Sequence, residues 1–206
     1  MIDIKENKLN LIFGKVNSAK TTLIINKIVE LLKSGKEVLY FSPDTPAHHI
    51  EKKVYCLMDD LDLASIKIDK KTFKPTNVNV PKNLTVIDDC RDYNEDISDE
   101  LHKKENKDKI IIIDNINQIN FDFDLDYSEK ISKVFTTLND TGATILGSFY
   151  LIEIADFSKD DSFSEDDEKL GTISLVERKD NNVEIFETDS ENKTSLKINQ
   201  RNLCLV

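Results

Sequence analysis

No run of apolar residues in these 206 positions approaches the roughly 20 that a helix needs to cross a bilayer, so no transmembrane segment and no membrane partner is expected. The start, Met1-Ile2-Asp3-Ile4-Lys5-Glu6, lacks the basic and then apolar regions of a secretory signal, and the expected location is cytoplasmic. Cysteine is scarce. Cys56, Cys90 and Cys204 form an odd, scattered set without metal-ligand spacing and read as core thiols in a reducing compartment. Positive charge is short too: 28 Lys and Arg stand against 39 Asp and Glu, a formal net charge of −11. Such a surface repels a polyanion, so single-stranded DNA is disfavoured as a partner unless a local basic patch receives it. The acid is concentrated in 156–168 (DFSKDDSFSEDDE) and at Asp122, Asp124 and Asp126, which read as solvated, mobile loops. No internal repeat and no linker is visible.

One missing glycine stands inside the most informative stretch. Leu9-Asn10-Leu11-Ile12-Phe13 is an apolar run that ends in Gly14, a short polar loop follows, and Lys20-Thr21-Thr22 opens a segment of helical periodicity. This is the strand–loop–helix context of a phosphate-binding P-loop, G-x-x-x-x-G-K-[ST]. The backbone N–H groups of Gly14, Lys15, Val16, Asn17, Ser18 and Ala19, with the first helical turn through Thr22, would face a polyphosphate. Lys20 would bring a point charge to its outer phosphates, and the Thr21 hydroxyl would complete the shell of a Mg²⁺ ion. The expected ligand is therefore ATP or another nucleoside triphosphate with Mg²⁺. The second glycine of the pattern is Ala19, whose Cβ is expected to crowd the place where the backbone closes on the phosphates, a degenerate Walker A motif.

Beyond the loop, Leu23, Ile24, Lys27, Ile28, Leu31 and Leu32 recur at helical spacing, with one charged residue interrupting the apolar face, and Ser34-Gly35 closes the helix. Residues 37–42 read as a strand. Thr45 as N-cap and Pro46 at the first helical position then start a helix that runs to about Met58. A polar, lysine-rich loop spans 59–81. Residues 84–89 read as a strand and 94–104 as an amphipathic helix. The run 110–114 (IIIID) is a strand buried on both faces, of the kind found in the middle of a parallel sheet. A helix over 127–139 and a buried strand over 143–149 follow. From Gly171 the texture changes to short strands, at 172–177, 182–187, 195–199 and 202–206, separated by turn signals such as Lys179-Asp180-Asn181-Asn182. The pattern predicts an α/β fold, a mostly parallel sheet flanked by helices with a β-rich C-terminal edge. It is expected to be one domain over 1–206, with 171–206 extending the same sheet.

A carboxylate after four apolar residues, as at Asp114, has the form of a Walker B strand. Ligands of open parallel sheets sit off the carboxyl ends of the strands, so Asp114 and Lys20-Thr21 are expected to face one crevice, with Asp114 holding Mg²⁺ through water. His48-His49 lack a metal partner at suitable spacing. Phe121, Phe123, Leu125 and Tyr127 alternate with aspartates and read as an edge strand or a partner-docking segment.

In order and wording these segments resemble the ATPase domain of the replicative hexameric helicases of the DnaB type, within the RecA-like group. Val38-Leu39-Tyr40-Phe41-Ser42-Pro43-Asp44-Thr45 resembles that family's strand ending in Ser-Leu-Glu-Met, and the strand at Leu84 to Asp89 its strand ending in Ile-Asp-Asp. Ile112-Ile113-Asp114-Asn115-Ile116-Asn117-Gln118-Ile119 resembles its Walker B segment, and Thr144-Ile145-Leu146-Gly147-Ser148-Phe149 its next strand, which ends in Ser-Gln-Leu. The likeness covers roughly 9–149. It implies a RecA-like P-loop domain whose water-orienting glutamate falls on Asp44 and whose sensor glutamine falls on Phe149. The family's Lys-x-Arg finger falls on Phe186-Glu187-Thr188-Asp189-Ser190, which has no basic residue; Lys193 or Arg201 would serve only with a shifted alignment. Such fingers are worth on the order of 10³–10⁵ in rate. The family's central DNA-binding loop falls on the acidic 156–168.

Together with Ala19, these departures imply a helicase-derived P-loop protein of DNA replication or recombination that binds nucleotide with weak or absent hydrolysis. It would act through protein contacts with a replicative helicase, a helicase loader or copies of itself. Two alternatives stand beside it. One is an active ATP-dependent single-stranded-DNA translocase that uses Asp44 and a borrowed finger. The other is a non-catalytic interaction module with an empty P-loop.

Overall fold

A computed structural model of the chain describes residues 2–67, 69, 76–150, 171–187, 193–198 and 205. The acidic stretch 156–168, Arg201, Cys204 and most of the strand expected at 202–206 lie outside these residues.

Strand and helix alternate as β1 (Leu9–Gly14), α1 (Lys20–Lys33), β2 (Val38–Ser42), α2 (Ala47–Met58), β3 (Leu84–Asp88), α3 (Ser98–His102), β4 (Ile110–Ile113), α4 (Tyr127–Asp140) and β5 (Thr144–Tyr150). β6 (Ile173–Lys179), β7 (Asn182–Glu187) and β8 (Lys193–Lys197) follow. All eight strands join one sheet in the order β3-β2-β4-β5-β1-β6-β7-β8. Pairing is parallel from β3 through β6 and antiparallel at β6–β7 and β7–β8. This is the α/β architecture expected from the sequence, and the late strands close one edge as a meander.

The topology explains where the helices lie. The connections β1–α1–β2 and β2–α2–β3 step toward one edge of the sheet, and β3–α3–β4 and β4–α4–β5 step back. Right-handed crossovers therefore lay α1 and α2 on one face and α3 and α4 on the other. Strand alternation fills both layers. Ile12, Val38, Tyr40, Ile110 and Ile112 pack with Leu23 and Ile28 of α1 and Ile50 and Val54 of α2. Their neighbours Leu11, Phe13, Leu39, Phe41, Ile111 and Ile113 pack with Leu101 of α3 and Val134 and Leu138 of α4. β1, β2 and β4 are buried along their whole length, as the interior of a parallel sheet requires. α1 ends as expected: Gly35 takes φ 81°, and the Lys36 N–H donates to the Leu31 carbonyl at 3.0 Å.

Several local expectations change. α2 begins at Ala47, and the Ala47 N–H donates to the Asp88 carboxylate at 2.7 Å, so a side chain at the end of β3 does the capping expected of Thr45. The helix expected over 94–104 is a wide turn at Tyr93–Ile97 followed by the short α3. The Asp92 carboxylate accepts from the Asn94 and Glu95 N–H groups and starts that turn early. Phe121 belongs to the core instead of an edge strand, with its ring stacked on Tyr93 at 4.7 Å and Phe123 packed against the same cluster. Cys56 and Cys90 are free and buried, and burial pushes the Cys90 thiol up to about 11. Among the described residues no helix is long and apolar enough to cross a membrane.

Candidate functional site

The site is built at the carboxyl end of β1. A Cβ on Gly14 would lie 2.6 Å from the Val176 carbonyl of β6 and would also strike the Ser18 hydroxyl, so only glycine fits where loop and strand meet. The chain then turns through two left-handed residues, Asn17 at φ 63° and Ala19 at φ 74°, ψ 20°. Ala19 thus holds the conformation that the pattern's glycine would hold, and its methyl packs against the α1-side core. This conformation costs an L-residue about 1–2 kcal/mol. Ala19→Gly is expected to raise stability by about 1 kcal/mol and the melting temperature by about 2–4 °C, as read by differential scanning calorimetry.

Lys20 opens α1 with its ammonium drawn back into the loop. Nζ donates to the carbonyls of Gly14 and Lys15, each at 2.8 Å, and to the Ser18 hydroxyl at 3.4 Å. Burial lowers its pKa, and the nearby Asp114 carboxylate partly opposes that shift. Asp114 follows β4 and is held from two sides, accepting from the Tyr40 hydroxyl at 2.8 Å and from the Ser148 hydroxyl. Burial, and next the Asp114 charge, push the Tyr40 phenol well above its ordinary value.

These elements border a cleft of about 500 Å³, lined by 16–22, Asp44, Thr45, Asp114, Asn115, Gln118, Tyr150 and Arg178. That volume is in the roughly 300–1,000 Å³ range of small-ligand sites. Asp44, Lys20, Thr21 and Asp114 therefore share one crevice. Gly14 lies beneath it, and Lys15 borders an adjoining groove of about 280 Å³ with Val176, Glu177 and Arg178. Among the described residues no group of three His, Cys, Asp or Glu side chains could hold a metal by itself. Mg²⁺ characteristically takes one or two carboxylates and completes its shell with substrate phosphates and water. Thr21 and Asp114 fit that mode, because a carboxylate with both oxygens accepting one bond keeps lone pairs for a water.

Phe149 does not reach the cleft. It is buried on the opposite face of the sheet, edge-on to Phe13 at 5.8 Å and Phe135 at 5.5 Å. A single step along β5 reverses the face, and Tyr150 takes the cleft position, its ring centroid 6.0 Å from Lys20 Nζ. The Tyr150 hydroxyl accepts from Gln118 at 3.3 Å, and its backbone N–H donates to the Asn117 side chain at 2.9 Å. The alternation Ser148-Phe149-Tyr150 follows from Ser148 facing Asp114, which puts Tyr150 on the same side and Phe149 on the other. Arg178 carried no local signal. The His48 and His49 rings lie 4.1 Å apart, and they are outside this cleft.

The family model for thymidine kinase matches residues 7–141, well over half of the chain. That match contains the P-loop, Asp44 and Asp114 and stops before β5. Among solved structures, one of a DnaB-like replicative helicase and its interactions with primase aligns with a TM-score of 0.73 at 15% identity, covering 98% of this chain and 59% of that one. A second solved structure, of an ATPase domain, aligns with a TM-score of 0.73 at 15% identity, covering 98% of this chain and 85% of that one. This chain thus spans 59% of the length of the first of these, and the likeness shows a RecA-like P-loop fold. A comparison with curated protein sequences returned no match.

Proposed function

Because this chain belongs to the thymidine kinase family, we propose that its P-loop cleft binds a nucleoside triphosphate with Mg²⁺ and transfers the terminal phosphoryl group slowly, to thymidine as acceptor. The observation that carries the reading is the convergence of Lys20, Thr21, Asp114 and Asp44 on one cleft. Lys20 would exchange the Gly14 and Lys15 carbonyls for phosphate oxygens without moving far, since its ammonium already sits inside the loop. Thr21 and Asp114 would hold Mg²⁺, which when bound neutralises phosphate charge. Asp44, exposed at the end of β2, would orient the acceptor hydroxyl and take its proton as the new O–P bond forms and the nucleoside diphosphate leaves. Ala19, held in the left-handed conformation within the phosphate loop, supports slow rather than fast turnover.

A second reading is favoured by the fold shared with a replicative helicase described together with primase. In it the bound nucleotide is a structural or switching ligand, and the protein acts in DNA replication or recombination through contact with a replicative helicase, its loader or a second copy of itself. Its net charge of −11 argues against DNA as the direct partner.

Both readings require that Mg²⁺–ATP raise the melting temperature. Incubation with γ-labelled ATP then separates them: label in thymidine monophosphate supports the kinase. No transfer to thymidine or water supports the switching ligand, and phosphate release stimulated by single-stranded DNA would support a translocase. The absence of any thermal shift would falsify the nucleotide site itself.

A further inference from the structure

β6 lies beside β1 in parallel register, with Leu175 opposite Phe13, and this brings the Val176 carbonyl against Gly14 at the root of the P-loop. Val176 is buried in the core layer that contains α1. Strand alternation sends Arg178, two residues on, to the same side, and there it borders both the P-loop cleft and the adjoining groove. Its Nε donates to the Asp180 carbonyl at 2.7 Å across the β6–β7 turn, where Asp180 takes φ 57°. The root of the guanidinium is thereby fixed by its own hairpin. Its terminal nitrogens make no hydrogen bond to any described residue.

The charges around the cleft make this placement consequential. Among the described residues its lining cations are Lys20 and Arg178, facing the carboxylates of Asp44 and Asp114. A triphosphate with one Mg²⁺ brings further negative charge, and Lys20 alone would leave the site with net repulsion. The geometry points to Arg178 as a phosphate-binding residue supplied by the same chain that supplies the P-loop. The assignment rests on the reading that the cleft binds Mg²⁺–nucleoside triphosphate, and it adds that one copy of the chain completes the phosphate site. The planar fork of arginine suits two phosphate oxygens at once, which a lysine point charge at the same position cannot match. The C-terminal hairpin is then part of the binding site as well as the closing edge of the sheet.

The test uses the full chain and two probes, Mg²⁺–ATP and Mg²⁺–tripolyphosphate, with affinities from titration calorimetry for wild type, Arg178→Ala and Arg178→Lys. Arg178→Ala is expected to weaken both probes by about tenfold or more, with Arg178→Lys between it and wild type. The loss of affinity with added salt should also become shallower, because one charge-assisted contact is gone. Because Arg178 is exposed and lies at a hairpin end, the melting temperature without ligand should stay unchanged. Equal affinities for wild type and Arg178→Ala would overturn the assignment, and so would a loss confined to ATP, which would mean a contact to base or sugar. Wild type that binds ATP while Arg178→Ala binds it equally well leaves the nucleotide site standing and removes only Arg178. Wild type that binds neither probe removes both.

Discussion

Asp114→Ala is expected to lower the stability of the ligand-free chain by about 2–4 kcal/mol, a fall of roughly 5–15 °C in melting temperature. The reason lies in its two donors. The hydroxyls of Tyr40 and Ser148 are both 0% exposed, and both donate to this one carboxylate. Removing the acceptor leaves two buried donors unpaired, which costs far more than the net value of either bond. A double-mutant cycle isolates the cause. Tyr40→Phe deletes one of the stranded donors, so Tyr40→Phe with Asp114→Ala should cost clearly less than the two single changes added together. Urea unfolding of the four proteins measures this, and additivity within about 0.5 kcal/mol would exclude the hydrogen-bond explanation.

The same pair sets an alkaline limit. Tyr40 keeps its proton in the folded state to a higher pH than in the unfolded chain, because burial and then the Asp114 charge disfavour the phenolate. A pKa raised on folding contributes stability that is complete below the unfolded value of about 10 and is lost as pH rises past it. Tyr40→Phe should flatten the decline around the unfolded tyrosine value of about 10, leaving the parts due to Tyr55, Tyr93, Cys56 and Cys90, which burial also raises.

How much of this was legible depended on whether the signal was local. The apolar run before Gly14, the β-branched run before Asp114 and the Gly35 helix stop each act within a few residues, and each stands where its pattern predicts. Asp44, Lys20, Thr21 and Asp114 could be gathered because all parallel strands end on one side of the sheet. What could not be read were faces and distant neighbours. The position of the helicase sensor glutamine falls on Phe149, which faces away from the cleft, while Tyr150 one step on borders it, because a strand reverses face at every step. Asp88 ends the strand that resembles the helicase strand closing in Ile-Asp-Asp, and its carboxylate caps α2 from 41 residues away. Arg178 is 158 residues from Lys20 in the chain; their approach follows from β6 pairing with β1, a strand order that no local pattern encodes.

The loss of the helicase-type finger, read from the sequence as one of several matching losses, also changes meaning in this light. The segment that the helicase finger falls on, 186–190, contains no basic residue. A cation does border the cleft, one strand earlier, at Arg178. Membership of the thymidine kinase family over 7–141 makes a comparison with helicase motifs a comparison of folds, so the absence of a helicase residue at its helicase position says little about the chemistry here.

Lys20→Met separates what the loop does for the nucleotide from what it does for the fold. Affinity for Mg²⁺–ATP is expected to fall by at least about 100-fold, or ~2.7 kcal/mol, because the phosphates lose the cation nearest the loop. The ligand-free protein should nevertheless keep its stability within about 1 kcal/mol, or gain slightly. Lys20 is 8% exposed and its pKa is lowered by burial. A lowered lysine pKa means that the folded state carries the penalty of the buried charge throughout neutral pH, and is relieved of it only as pH rises through the folded value. Methionine has similar length and no charge to desolvate, which offsets the hydrogen bonds that the Gly14 and Lys15 carbonyls no longer accept. Calorimetric titration beside urea unfolding of the same variant gives both numbers. A variant that loses its fold together with its ligand would make Lys20 a structural clamp of the loop. One that keeps both would mean that phosphate is held elsewhere.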